Sequence, residues 1–288
     1  MILFKKAADL RKWLDAQQKK ESSIGFAPTM GALHKGHISL IETSKKANSI
    51  TVSSIFVNPT QFNDPKDFEK YPITLEKDIT MLEEAGCDVL FLPSVKEMYP
   101  DDTVGHGIKP ERPYDLVNLE TVLDGKFRPG HFQGVCMVVQ RLLEIVKPDN
   151  LYLGQKDYQQ CLVIKRLIQL MKQADKIKVN ICPTLREANG LAMSSRNMRL
   201  KDDERKTAAT IFHCLSMIKD NLKEGSLTDI KTKALTMLGE AGFKVDYVEI
   251  ADANNLSIIK NWDGEQKIVA LVAAFMNEVR LIDNMLLN

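Results

Sequence analysis

Residues 24–37 read IGFAPTMGALHKGH. Ile24, Gly25, Phe26 and Ala27 form a short apolar run, and a periodic apolar stretch opens at Ile38. Between them stand Gly31, Gly36 and two of the chain's five histidines, His34 and His37. The spacing reads as a strand handing over to a helix. At such a turn the first backbone N–H groups have no helical partner, and the positive end of the helix dipole points outward. That arrangement is suited to an anion. Gly31 and Gly36 allow the backbone to approach a ligand closely. His37, expected at the first or second helical position, feels the dipole, which favours a neutral imidazole. A neutral imidazole still donates one hydrogen bond to an anion, and His34 flanks the same place. A lone HxxH is more often a pair of surface histidines. The strand before, the glycines within and the helix after favour a built site.

The pattern repeats outward. Residues 24–28, 50–57 and 88–92 are compact apolar runs of the kind buried on both faces of a parallel sheet. Helical patterns fall between them at 37–48 and 74–86, the second with Thr74 as N-cap and Gly86 as stop. Residues 135–157 give a helix ended by Pro148, a strand at 150–153 and a loop at Gly154. A further helix covers 161–175 and a strand 178–185. Alternating strands and helices predict an α/β fold, a doubly wound parallel sheet. After residue 184 the pattern changes to helices at 201–225 and 227–242, a half-exposed strand at 244–253 and one or two strands within 266–284. The expected domains are therefore residues 1–184 and a smaller C-terminal α+β domain, 185–288.

Composition excludes several classes. A formal net charge of +1 offers no global field for nucleic acid or an anionic membrane. The longest purely apolar run, Ile268 to Met276, is nine residues and too short to span a bilayer. The N-terminal stretch MILFKKAADLRKW lacks the apolar core of a signal peptide. The five cysteines are scattered, odd in number and never in a CxxC pair, which argues against a disulfide framework or zinc site. A soluble cytoplasmic protein with reduced thiols is expected.

Three more stretches carry chemistry. FVNPTQF (56–62) ends the second strand, where Asn58 and Gln61 offer amides beside Phe56, Pro59 and Phe62. Apolar walls with a few fixed hydrogen bonds suit a small hydroxylated acid. GQKDYQQ (154–160) follows the strand at 150–153. Gly154 permits a close turn, and Lys156 supplies a mobile cation able to follow developing phosphate charge. Gln160 lies one helical turn beyond Lys156. LREANGLAMSSRN (185–197) crosses the domain junction and offers Ser194, Ser195 and Arg196, hydroxyls and a planar cation fitted to phosphate. His106, His213 and the cysteines are assigned no chemical role, and His131 and Arg128 none beyond a place in RPGHFQGV (128–135).

HKGH (34–37) resembles the HxGH signature of the HIGH-superfamily nucleotidyltransferases, and PTMGALHKGH (28–37) resembles the pantothenate synthetase, or pantoate–β-alanine ligase, family in particular. SIFVNPTQF (54–62), YP (71–72), RPGHFQGV, GQKDYQQ, MSSRN (193–197) and RLIDN (280–284) agree in the same order along nearly the whole chain. The resemblance implies a Rossmann-like first domain that binds nucleotide and pantoate, and a C-terminal lid. It implies ATP-dependent condensation of pantoate with β-alanine through a pantoyl adenylate, with AMP and pyrophosphate released, in pantothenate and coenzyme A biosynthesis. The residues implied for ATP are Met30, Gly31, Ala32, Leu33, His34, Lys35, Gly36, His37, Gly154, Gln155, Lys156, Asp157, Leu185, Met193, Ser194, Ser195 and Arg196. Met30, Asn58, Gln61 and Gln160 are implied for pantoate, and His34, His37, Lys156, Ser194, Ser195 and Arg196 for catalysis. Ser194, Ser195 and Arg196 stand where the superfamily usually carries a KMSKS loop. Gln155 departs from the family's usual Glu. Mg²⁺ is expected to be held mainly through phosphates with no protein metal ligand, and a homodimer is implied. Other superfamily transferases and a non-catalytic nucleotide-binding module are the rival readings. The pair Gln61 and Gln160 with RPGHF argues against the first, and retention of both histidines, Lys156 and Arg196 against the second.

Overall fold

The computed structural model describes residues 1–18, 21–100 and 112–288, so His106 lies outside the described residues. Two units emerge, one formed by Met1–Leu116, Pro129–Gly154 and Val163–Pro183, the other by Val117–Arg128, Gln155–Leu162 and Thr184–Asn288. Residues 117–128 and 155–162 were expected in the first domain and group with the second unit instead. Long-range bonds are the reason. Asp124 accepts from Tyr247 Oη and Arg280 Nη2, and Tyr158 Oη donates to Ala253 O, across 95 to 156 residues of sequence. Such links leave no trace in local periodicity.

The elements run β1 (Ile2–Phe4), α1 (Ala7–Gln18), β2 (Ile24–Thr29), α2 (Lys35–Ala47), β3 (Ile50–Ile55), α3 (Pro65–Glu69), α4 (Leu75–Glu84), β4 (Val89–Phe91), α5 (Val95–Met98), α6 (Leu123–Phe127), α7 (His131–Val146), β5 (Asn150–Gly154), α8 (Tyr158–Leu170) and β6 (Lys178–Cys182). The strands of the first unit form one six-stranded sheet in the order β1-β4-β3-β2-β5-β6, all pairs parallel. β3 and β4 are buried throughout, as strands covered on both faces are, with Thr51, Ser53 and Ser54 of β3 buried beside its apolar residues. Along β2 the faces alternate. A Cβ built on Gly25 would meet Ser44 Oγ of α2 at 2.1 Å, and Ala27 packs with Leu40 and Ile41 of α2. Ile24 and Phe26 therefore face the opposite side, where α7 packs on β2 and against α1. Helices on both faces make the sheet doubly wound, as the sequence predicts. The strand order reverses between β2 and β5. Ligands of open parallel sheets sit outside the carboxyl ends of the strands at such a reversal.

The second unit adds α9 (Asp202–Ala208), α10 (Thr210–Asp220), β7 (Gly225–Ser226), α11 (Thr228–Glu240), β8 (Lys244–Asp252), β9 (Asn261–Trp262), β10 (Ile268–Met276) and β11 (Val279–Leu286). The predicted helix at 201–225 is thus two helices, and the segment 266–284 contributes two strands joined by a turn with Asn277 at φ 49°. β11, β10 and β8 form an antiparallel sheet in that order, and β7 pairs with β9. β8 is exposed at Lys244 and partly so at Val245, Asp246 and Glu249, while Val248, Ile250 and Ala251 are buried, so the expected half-exposed strand holds for its first half and Glu249. Ile211, Leu215 and Ile218 of α10, Ala234 and Leu238 of α11 and Val248 and Ile250 of β8 close the core over β10. Among the described residues no helix is long and apolar enough to cross a membrane.

All five cysteines are free and buried. Burial pushes the Cys87 thiol up to about 11 and that of Cys214 up to about 12. Since the thiolate is the reactive species, the native protein at about pH 8 should release little colour from Ellman's reagent. Added denaturant should expose all five thiols. Rapid stoichiometric reaction of the native chain would contradict this burial.

Candidate active site

The HxGH turn sits at the carboxyl end of β2, beside the reversal in strand order. α2 begins at Lys35, two residues earlier than the pattern at 37–48 suggests, because His34 is itself the N-cap. Its backbone is extended, and its Nδ1 accepts from the N–H of Gly36 at 3.1 Å. His37 is consequently the third helical residue, not the first or second, and its Nδ1 accepts from the N–H of His34 at 3.3 Å. Two imidazoles thus perform the reciprocal capping usually done by Ser or Thr with Glu or Gln. An Nδ1 that accepts from a backbone N–H leaves the neutral ring's hydrogen on Nε2. The rings lie 4.0 Å apart between centroids. Both histidines are half-buried and Lys35 is exposed.

The residues before the cap have left-handed backbone, Gly31 at φ 81° and Ala32 at φ 48°. An L-residue there is uncommon and must be held. Asp78 of α4 holds it. Its carboxylate accepts from the N–H of Ala32 and of Leu33, both at 2.8 Å, and from Thr74 Oγ1 at 2.9 Å. Asp78 is 1% exposed, and a Cβ on Gly31 would lie 3.1 Å from its Oδ2. Thr74 is the N-cap of α4 as expected, but its hydroxyl serves Asp78 instead of the helix. The signal was present in the sequence. Leu75, Asp78 and Leu82 share one helical face, and an acid on an apolar stripe needs buried partners.

The amide cluster after β3 is also in the first unit. Gln61 Nε2 donates to Met30 Sδ at 2.9 Å, so two residues expected at the pantoate site meet. Asn58 is fully buried: its amide donates to Gln61 Oε1 and Gly134 O, and its carbonyl accepts from Tyr99 Oη at 2.9 Å. Burial pushes the Tyr99 phenol up to about 12, so it stays a donor. His131 Nδ1–H donates to the carbonyl of Gln61 at 2.7 Å. A Cβ on Gly134 would overlap Thr60 O at 2.2 Å, so only glycine lets α7 approach this turn. RPGHFQGV therefore acts on the Asn58–Gln61 turn from behind.

The second unit carries the other expected residues. Gln155–Asp157 form a 3₁₀ turn ahead of α8, and Lys156 Nζ contacts Asp157 Oδ1 at 3.0 Å. Gly154 has no positive φ and no protein atom within 4 Å of a built Cβ, so no tight turn requires it. Gln160 is half-buried in the first turn of α8, while its neighbour Gln159 is buried and bonded to the carbonyls of Leu119 and Val122. Residues 185–193 form a hairpin in which the Met193 N–H donates to the carbonyl of the exposed Leu185. Ser194 then caps a 3₁₀ turn over Ser195–Arg199, its Oγ accepting from the N–H of Arg196 at 3.3 Å. Ser195 is buried. Lys156, Ser194 and Arg196 line one cleft with Arg280 and Asp283. The cleft gathers an ammonium, a hydroxyl and two guanidinium groups beside one carboxylate, with Arg280 already paired to Asp124 and Asp246.

Below it lies a network to which the sequence assigns no role. Asn284 Nδ2 donates to the carbonyls of Gln155 and Lys156, each at 2.9 Å, and its Oδ1 accepts from Gln155 Nε2 at 3.3 Å. The adjacent Asp283 takes both Nη atoms of Arg186 and the N–H of Asn284. In the sequence Asp283 and Asn284 stand out only as part of RLIDN.

Comparison with known proteins places the whole chain. The Pantoate-beta-alanine ligase family model matches residues 2–286. The pantothenate synthetase of Cytophaga hutchinsonii is 43% identical over 290 residues, covering 100% of this chain and 99% of that protein. That of Bacteroides thetaiotaomicron is 40% identical over 277 residues, covering 96% and 95%. A crystal structure of pantothenate synthetase from Thermus thermophilus superposes with a TM-score of 0.87 at 36% identity, covering 99% of each chain. The Francisella tularensis pantoate-beta-alanine ligase, complexed with beta-gamma ATP and beta-alanine, gives a TM-score of 0.81 at 38% identity, covering 99% of this chain and 97% of that one. Matched along its whole length by that family model and by relatives of about 40% identity, the protein belongs to the pantoate–β-alanine ligase family.

Proposed function

We propose that the protein condenses (R)-pantoate with β-alanine at the expense of ATP, giving pantothenate, AMP and pyrophosphate. The observation that carries this reading is the HxGH turn, whose two imidazoles are fixed by backbone N–H groups at the carboxyl edge of the sheet. Family membership, and the beta-gamma ATP and beta-alanine complexed with the Francisella tularensis relative, support ATP and β-alanine as substrates here. Joining a carboxylate to an amine is uphill in water, so the carboxylate must first be activated. A pantoate oxygen attacks the α-phosphorus of ATP, and the bond to pyrophosphate breaks. The amine of β-alanine then attacks the acyl carbon of pantoyl adenylate, AMP departs with the bonding electrons, and the amine loses a proton.

No covalent intermediate with the protein is needed. Its residues position carboxylate and phosphorus in line and stabilise the added negative charge. His34 and His37 donate to phosphate oxygens. Lys156, Ser194, Ser195 and Arg196 serve the charge on departing pyrophosphate. Gln61, Gln160 and Met30 hold pantoate, while Asn58 and His131 fix the turn that carries Gln61. Among the described residues no three His, Cys, Asp or Glu side chains gather as a metal cage. A Mg²⁺ that accompanies ATP would be bound mainly by phosphate oxygens and water, its habitual ligands. A cytoplasmic homodimer completes the reading, and sedimentation velocity would read the assembly directly.

Isotope exchange tests the two-step scheme. Labelled pyrophosphate should enter ATP when pantoate is present and β-alanine absent. Exchange that strictly requires β-alanine would rule out a free-standing adenylation step.

A further inference from the structure

We infer that Asn284 is a positioning residue for Lys156, and that Asp283 and Arg186 exist to hold Asn284. The inference rests on the proposed role of Lys156 and goes beyond it. Asn284 lies on β11, more than a hundred residues from the lysine in sequence, and is 2% exposed. An asparagine side chain has two N–H donors. Here they go to the carbonyls of two successive residues, Gln155 and Lys156, at 2.9 Å each. Its oxygen faces the Gln155 amide at 3.3 Å. The side chain thereby grips both the main chain and the side chain of the turn that presents the ammonium group.

The grip is itself braced. Asp283 Oδ1 accepts from the N–H of Asn284 at 2.8 Å, and both of its oxygens take the fork of Arg186. Arg186 also donates to Gly190 O, and its guanidinium lies 4.6 Å from the centre of the Phe212 ring. A buried carboxylate bound at both oxygens by a planar fork allows little rotation. Lys156 itself has a flexible stem, is hydrogen-bonded to Asp157, which is 42% exposed, and is attracted to Asp283. What fixes the place from which the ammonium acts is therefore its backbone, and that backbone is held by Asn284. Stabilisation of developing charge depends on such placement, and a displacement of about 1 Å can cost 10²-fold in rate.

The test is a double-mutant cycle on the full-length protein with ATP, pantoate and β-alanine, reading kcat, KM for ATP and melting temperature. Asn284→Ala should lower kcat by about 10- to 100-fold with KM for ATP within about threefold of wild type. In a Lys156→Ala background the same replacement should cost less than about twofold, because the group it positions is gone. A residue that merely supports the fold would give the same loss in both backgrounds. Undiminished loss in the Lys156→Ala background, or near-normal kcat for Asn284→Ala, would overturn the inference. Near-normal kcat for Lys156→Ala alone would instead overturn the role of the lysine. Should Asn284→Ala fail to fold, Asn284→Ser, which keeps one donor, is run through the same cycle. Failure of both to fold would make Asn284 a structural residue and also overturn the inference.

Discussion

Replacing Lys156 with alanine is expected to lower kcat by roughly 10²–10³, the range for losing one preorganised charge-stabilising donor. KM for ATP should change much less. The ammonium contacts Asp157 at 3.0 Å, with the aspartate 42% exposed. The Lys156 side chain itself is 17% exposed and also faces the charge of Asp283, so the ammonium rests among carboxylates until phosphate competes for it. Its attraction grows as the bond to pyrophosphate breaks, which is why the loss falls on kcat. Loss of this pair should leave the melting temperature near that of wild type. Steady-state kinetics with ATP varied at saturating pantoate and β-alanine check the prediction. A variant with normal kcat and a raised KM would show that Lys156 binds ground-state ATP alone.

His37→Ala should slow adenylate formation by roughly 10- to 150-fold, the cost of about 1.5–3 kcal/mol for a lost hydrogen bond to a charged group. The structure adds a second loss, because His37 Nδ1 caps the N–H of His34 at 3.3 Å. His37→Gln separates the two. Glutamine is a natural third residue of a capping box, so its oxygen can accept from the His34 N–H while its amide remains a donor. It should retain a measurable share of the rate where alanine does not. The same geometry sets a pH expectation. Protonation would turn Nδ1 of His37 into a donor pointed at a donor, so adenylation should not speed up between about pH 7 and 5.5. Single-turnover adenylate formation for wild type and both variants across that range provides the readout. Equal modest losses for Ala and Gln, or a wild-type rate that climbs with acid, would assign the histidines another role, that of proton donors.

What was legible in the sequence was local. The runs that became β2, β3 and β4 sit in the chain as they sit in the sheet, because strands covered on both faces are rich in apolar residues, and the buried hydroxyls of Thr51 and Ser53 in β3 find partners on Ser44 and Ala27. The HxGH turn was legible because its glycines, histidines and flanking elements are neighbours. Its details were not. The helix starts at Lys35 because His34 turns its own side chain onto Gly36, a choice of rotamer and not of pattern. Asn58 offered the same amide as Gln61, yet three-dimensional packing buried it and spent its hydrogen bonds on Gly134, Gln61 and Tyr99.

The sequence by itself determined the fold class and the family and nominated the residues for the chemistry, since each rests on short-range spacing or on motifs read in order. Tertiary structure alone decided what holds those residues. Asp78 reaches the N–H groups of Ala32 and Leu33 across 46 and 45 residues, and Asn284 reaches Gln155 and Lys156 across 129 and 128. A buried backbone group must find a partner, but nothing in its own neighbourhood names that partner. Only the folded chain, bringing α4 under one turn and β11 under the other, makes the assignment.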